Sequence, residues 1–239
     1  MIAIKDSALD LRTYMAEAGF VVASIEYRTT ADHASYRDGV ADVKSAVRYL
    51  RAHSRDLGIN PTRIAVWGES AGGYMSAMAA VTNGHKDFDI GDNLDQSSDV
   101  QAVIDKFGPS DASKVADDFD PNARKFYADP NNSVARYTSG DAGSAANPLT
   151  YIGPSATAFL IFHGSNDRLV SPSQTLILHN ALTAAGVHST RYVINGAGHG
   201  DMSFLGDSKA GLPWSTNQVM GIMVGFLNRE IATGSGDRK

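Results

Sequence analysis

Ser70 stands in "RIAVWGESAGGYMSAMAAV", between an apolar run and a stretch of small residues, with Gly68 and Gly72 two places to either side. Glycines at both flanks let a chain turn sharply without Cβ clashes. A G-x-S-x-G run set between a strand and a helix is the pattern of a strained turn that lifts a serine hydroxyl above a sheet. There the dipole of the following helix and the backbone N–H of Ala71 can stabilise an oxyanion. Such a run is a weak signal by itself in a chain with 23 glycines. Its weight comes from the strand expected before it and the helix expected after it.

A serine hydroxyl keeps its proton at neutral pH, so a nucleophilic serine needs a base, and the base needs an orienting acid. Seven histidines compete for the first role. His199, in "NGAGHGD", follows the last expected strand and lies among Gly196, Gly198 and Gly200, which let a loop bring an imidazole against another backbone turn. His33, His53, His85, His179 and His188 lie in or beside polar helix and loop stretches and read as solvated surface residues. His163 ends an expected strand in "IFHGSNDRLV" and reads as a packed, hydrogen-bonded structural residue. Asp167, in that same segment, comes just beyond the strand, at the carboxyl edge where ligands bind in open parallel sheets. It is the expected acid, with Asp111 of "FGPSD" as the alternative. The order Ser70, Asp167, His199 is that of the fold in which serine precedes acid and then base.

Short β-branched runs alternating with helical patterns supply the elements that would position these residues, and imply parallel strands joined by crossover helices. Strands are expected over Phe20 to Tyr27, Arg63 to Trp67, Val100 to Phe107, Thr157 to His163 and Thr190 to Asn195. Val40, Val43, Val47 and Leu50 recur at helical steps, and Gly58 stops that pattern before Asn60-Pro61 turns the chain. Further helices are expected over Asp6 to Ala18, Pro172 to Ala185 and Ser215 to Ile231, with a loose tail beyond. Ser110 to Thr150, rich in Asp, Asn, Ser and Gly, breaks the rhythm and reads as a loop or cap-like insertion in one domain spanning all 239 residues.

A net charge of −5 without clustered Lys or Arg argues against a nucleic-acid partner. The lack of cysteine excludes thiolate nucleophiles and Cys-based metal sites. No apolar run approaches the length of a membrane span, so no membrane partner and a cytoplasmic location are expected. Asp87, Asp89, Asp92 and Asp95 form an acidic run that departs from a calcium-binding loop and reads as solvated. No metal or cofactor is expected. Glu69 reads as structural. Phe119, Phe126, Tyr127, Tyr137 and Tyr151 are candidates for an acyl pocket, with packing the commoner use of scattered aromatics. Trp214 and Met202 near the base loop are assigned no role.

"VVASIEYR", "DVKSAVRYLRAHSRDLGINPTRIAVWGESAGG", "NPLTYIGPSATAFLIFHGSNDRLV" and "GAGHG" follow one another as blocks do in the α/β-hydrolase superfamily. Over nearly its whole length the chain resembles the esterase/lipase branch that includes hormone-sensitive-lipase-like and feruloyl and acetyl-xylan esterase-like proteins. The resemblance implies an α/β-hydrolase fold and a carboxylesterase using Ser70 as nucleophile, His199 as general acid/base, Asp167 to orient His199, and the Ala71 N–H in the oxyanion hole. It further implies upstream strands and a His-Gly-Gly-Gly-type loop that this sequence lacks, so the fold is expected to be N-terminally shortened. A strand would then be missing between Phe20 to Tyr27 and Arg63 to Trp67. Either the sequence is part of a longer protein, or those two strands re-pair, or another chain fills the gap, which makes a homo-oligomer plausible. The expected function is hydrolysis of short-chain or small acyl esters, acetyl or feruloyl types included. A catalytically impaired binding protein and a prolyl-oligopeptidase-like peptidase are the alternatives.

Overall fold

The computed structural model describes residues 9–119, 121–129, 131–132, 136–137, 145–200 and 212–232. Met202, the side chain of Phe126 and the tail after residue 232 lie outside the described residues. Four parallel strands, β1 (Ala65–Glu69), β2 (Ala102–Lys106), β3 (Ala158–Gly164) and β4 (Ser189–Ile194), form one sheet in chain order among these residues. The register places Trp67 beside Ile104, Ile104 beside Leu160 and Leu160 beside Thr190. The flanking helices are α1 (Leu9–Glu17), α2 (Tyr36–Ala52), α3 (Ser54–Leu57), α4 (Ala71–Val81), α5 (Pro121–Ala128), α6 (Ser173–Ala184) and α7 (Asn217–Ala232).

Local chemistry sets these boundaries. α2 opens on a capping box in which Ser35 and Asp38 satisfy each other's backbone N–H groups, and α3 stops at Gly58, whose φ of 64° is left-handed. β2 and β3 are buried along their whole length, as strands covered on both faces must be. On one face Ile104, Leu160 and Phe162 pack against Leu11 and Met15 of α1 and Met223 and Phe226 of α7. On the other, Val103, Phe159 and Ile161 meet Ala77, Ala80 and Val81 of α4 and Leu178 and Leu182 of α6.

The first expected strand does not form. Phe20 to Tyr27 makes no ladder with β1 or any other strand among the described residues, so re-pairing of the two segments, one of the three possibilities, does not occur there. Val21 is 65% exposed and Ile25 38%, while Phe20 and Val22 lean on the α1 and α7 side of the core. Arg28 ties the end of this segment to α2, its guanidinium and backbone N–H both donating to Asp42 at 2.8 Å. β1 is consequently an edge strand of half-buried residues. Apolar, β-branched sequence makes a strand only where a neighbouring backbone lies within ladder distance.

Asp87, Asp92 and Asp95 of the acidic run are exposed, as expected, and only Asp89 departs. Asp89 turns inward, 3.1 Å from the buried guanidinium of Arg48, and accepts a hydrogen bond from Ser98 at 2.6 Å. Arg48 donates to the Ile90 and Asp92 carbonyls, and Lys44 to the Thr82 carbonyl. Two buried cations on α2 need acceptors, and this loop and the end of α4 supply them. Among the described residues no group of His, Asp or Glu is arranged to hold a metal, and no helix is long and apolar enough to cross a membrane.

Candidate active site

β1 ends at Glu69 and α4 begins at Ala71, so the turn between them is made at Ser70, with φ 54° and ψ −117°. A residue with a side chain is strained there, at a cost of about 1–3 kcal/mol, and persists only when its surroundings hold it. Hydrogen bonds do so at both ends: Ser70 N–H donates to the Lys106 carbonyl at 2.9 Å, and Tyr74 N–H to the Ser70 carbonyl at 3.0 Å. Gly68 is required sterically, since a Cβ there would stand 2.1 Å from the carbonyl of Gly72. Gly72 is not, because its Cβ would meet nothing within 4 Å. The second close approach belongs to Gly73, whose Cβ would fall 2.3 Å from Asp105 Oδ1. The two-residue spacing on either side of Ser70 thus identifies one of the two glycines that the turn needs.

Ala71 is buried at the start of α4, and its N–H is one of the opening donors that have no acceptor inside a helix. Behind this turn lies Asp105, wholly enclosed on β2. Burial pushes its carboxyl up to about 7, with a hydrogen bond from the Gly108 N–H acting in the opposite direction.

The loop after β4 carries His199. It docks where β3 ends, with Asn166 N–H donating to the Ala197 carbonyl at 2.9 Å and Ser165 N–H to the Ile194 carbonyl at 3.0 Å. Phe107, just past β2 and itself at φ 46°, places its ring 4.8 Å from the His199 imidazole and 4.7 Å from Trp214. These contacts bring His199 Nε2 to 2.8 Å from Ser70 Oγ and Nδ1 to 2.7 Å from Asp167 Oδ2. A carboxylate facing Nδ1 assigns the hydrogen to that nitrogen and leaves Nε2 as the acceptor facing the serine.

Asp167 has no solvent-exposed side-chain surface. Its Oδ1 accepts from the N–H groups of Leu169 and Val170, each at 2.9 Å, and its Oδ2 faces His199 and, at 3.2 Å, His163 Nε2. Burial alone would push the carboxyl up. The His163 and His199 hydrogen bonds and the Val170 N–H outweigh it and hold the group well below the usual carboxylate range. Asp111 lies in other company, accepting from Ser113 Oγ at 2.6 Å and paired with Lys114 at 3.3 Å.

Ser70, His199 and Asp167, three residues far apart in sequence, therefore meet in one hydrogen-bonded line. Along it a hydroxyl proton can pass to an imidazole that a buried carboxylate orients. Further contacts around it were not assigned from sequence: Phe107 against the imidazole, and the Leu169 and Val170 amides; His163 is packed and hydrogen-bonded, as its strand-end position implied, and also faces the Asp167 carboxylate. Glu69, read as structural, pairs with buried Lys106 at 2.5 Å. Of the aromatics, Tyr137 and Tyr151 pack in the core around α2 and α4. Tyr127 of α5 donates its hydroxyl to the Leu169 carbonyl beside the acid, and Phe119 lies 6.2 Å from its ring.

A BD-FAE family model matches residues 4–182, a span that includes Ser70 and Asp167 and stops before His199. The probable carboxylic ester hydrolase LipM of Mycobacterium tuberculosis is 30% identical over 170 residues, which is 71% of this chain and 39% of LipM. Esterase LipC of the same organism is 31% identical over 192 residues, 78% of this chain and 46% of LipC. The chain thus spans less than half the length of these curated relatives. Among solved structures, a truncated form of a carbohydrate esterase from gut microbiota superimposes with a TM-score of 0.79 at 28% identity, covering 94% of this chain and 79% of that one. A propionate-bound thermophilic esterase from Thermogutta terrifontis superimposes with a TM-score of 0.69 at 23% identity, over 95% of this chain and 78% of its own, a likeness of fold.

Proposed function

The chain belongs to the BD-FAE family and has the α/β-hydrolase fold, and from that premise we propose that it is a serine carboxylic ester hydrolase acting through an acyl-enzyme. The observation that carries this reading is the line Ser70 Oγ to His199 Nε2, 2.8 Å, and His199 Nδ1 to Asp167 Oδ2, 2.7 Å.

In the proposed reaction Ser70 Oγ attacks the ester carbonyl carbon while its proton moves to His199 Nε2. The carbonyl oxygen becomes an oxyanion beside the Ala71 N–H at the start of α4. Collapse breaks the bond to the alcohol oxygen, which takes the proton from His199 and leaves. Water then attacks the acyl-enzyme, giving its proton to His199. The second collapse releases the acid and returns the proton to Ser70. Asp167 stays ionised throughout and stabilises the imidazolium formed in each half.

The proposed substrates are short-chain or small acyl esters, acetyl- or feruloyl-type groups included. The likeness to a carbohydrate esterase structure at 28% identity supports a carbohydrate as the alcohol. No long apolar lid is legible in the Ser110 to Thr150 sequence, which favours acetyl over palmitoyl esters. The test is hydrolysis of p-nitrophenyl acetate by the chain and by its Ser70→Ala variant, beside intact-mass detection of fluorophosphonate labelling. Turnover and a single label, both lost in the variant, are expected. Ester turnover that survives Ser70→Ala overturns the reading, and saturable ester binding without turnover replaces it with a binding protein on a hydrolase scaffold.

A further inference from the structure

His163 lies outside the proton path just described, yet both of its ring nitrogens have fixed partners. The ring has no exposed side-chain surface and stands at the end of β3, with Phe107 edge-on at 6.5 Å. Its Nε2 is 3.0 Å from the Val170 carbonyl oxygen and 3.2 Å from Asp167 Oδ2. Both are acceptors, so Nε2 carries a hydrogen and divides it between them. Its Nδ1 is 2.8 Å from Thr175 Oγ1 on α6. That hydroxyl oxygen accepts from Arg191 Nε of β4 at 3.0 Å, and a guanidinium can only donate. The hydroxyl hydrogen is thereby directed at His163 Nδ1, since the other acceptor in range, the Pro172 carbonyl, is 3.4 Å away. Arg191, Thr175 and His163 form a fixed series of donors ending on the oxygen of Asp167 that also faces His199.

We propose that His163 is a positioning residue for His199, acting through Asp167: its Nε2–H, fixed by Thr175, pins the rotation of the shared carboxylate. The inference rests on the reading of Ser70, His199 and Asp167 as the reacting line. A buried carboxylate resists rotation more strongly when donors meet both of its oxygens from fixed directions than when they meet one alone. The Leu169 and Val170 amides do this for Oδ1. On Oδ2 the other partner is His199, on a loop and the group to be positioned, so it cannot also supply the reference. His163, in a sheet strand and bonded on both nitrogens, supplies it.

The experiment compares kcat and KM for p-nitrophenyl acetate, and the downfield proton resonance of the His199 Nδ1–H, in the wild type, His163→Leu, His163→Gln, Thr175→Val and Ser70→Ala. His163→Leu should lose about 10- to 100-fold in kcat, the scale of an outer-shell orienting partner, with KM within about 2-fold and the resonance broadened by exchange. His163→Gln, whose amide N–H can replace Nε2–H, should recover to within about 5-fold of the wild type. Thr175→Val, which keeps both rings, should lower kcat about 3- to 10-fold and shift the resonance; it serves if His163→Leu does not fold. Unchanged kcat and resonance in a folded His163→Leu or Thr175→Val overturns the inference. So does His163→Gln falling as far as His163→Leu at the same melting temperature. Turnover that persists in Ser70→Ala sinks the esterase reading instead, while the resonance still reports whether His163 holds the carboxylate.

Discussion

The ammonium of Lys106, wholly buried on β2, lies 2.5 Å from the carboxylate of Glu69, the residue immediately before Ser70. The Lys106 carbonyl also accepts from Ser70 N–H, and Lys106 Nζ sits 5.2 Å from the centre of the Trp214 ring. The ion pair therefore fastens β1 to β2 at the point where the strained turn begins. Removing one partner of a buried pair strands the other charge, and Glu69 is partly exposed, which moderates the loss. Glu69→Ala should destabilise the protein by about 2 kcal/mol, read by urea denaturation, and lower turnover by loosening the turn. A midpoint shift within error would show that water or Trp214 already carries the Lys106 charge.

Asp167→Asn tests the acid. The amide keeps the shape of the carboxylate but presents N–H or an uncharged oxygen to His199, so the tautomer with the hydrogen on Nδ1 loses its stabilisation. A fall of roughly 10³- to 10⁴-fold in kcat on p-nitrophenyl acetate is expected, with the fold retained by circular dichroism. The corresponding change at Asp111, which is bonded to Ser113 and Lys114, should leave kcat within about 3-fold of the wild type.

The glycines around the turn should separate by space. Gly68→Ala places a Cβ 2.1 Å from the Gly72 carbonyl, and the backbone must shift or the turn must open. Loss of soluble protein, or destabilisation of about 3 kcal/mol or more, is expected. Gly72→Ala enters open space inside a helix, where alanine is favoured over glycine by up to about 1 kcal/mol. Its melting temperature should equal or exceed that of the wild type. Equal tolerance of both substitutions in a thermal scan would contradict the turn geometry.

Asp105 makes stability depend on pH in a stated direction. Its carboxyl is pushed up to about 7 in the folded chain against an ordinary value of 3.8. Between those pH values the native state holds a proton that the unfolded chain has released, so this group's contribution falls as pH rises from about 4 to 7 and stays low above. The full span amounts to about 4 kcal/mol. Asp105→Asn cannot titrate, so it should gain on the wild type by a few kcal/mol between pH 4.5 and pH 8.5 in paired denaturation curves. Parallel pH dependences would place the Asp105 proton elsewhere.

Much of the layout was legible locally. The runs that became β1 to β4, the helical stripe of Val40, Val43 and Val47, and the capping signals at Ser35 and Gly58 act over a few residues, and periodicity reports them. The strained turn at Ser70 was legible for the same reason. Phe20 to Tyr27 has strand composition as good as the others and forms none, because a ladder needs a partner backbone that composition does not reveal. Asp89 read as solvated because the two cations that draw it inward, Lys44 and Arg48, are more than forty residues away on α2.

By itself the sequence determined which residue types are available for chemistry and their order, Ser70, Asp167, His199, since residue type and chain order are covalent facts. Only the tertiary structure decided that these three side chains come within hydrogen-bond distance, that Gly73 rather than Gly72 needs its missing Cβ, and that a second histidine shares the Asp167 carboxylate. Those outcomes depend on where separate strand ends and loops come to rest against one another. Angular and ångström-scale placement of that kind arises from packing across the sheet, and no window of the sequence contains it.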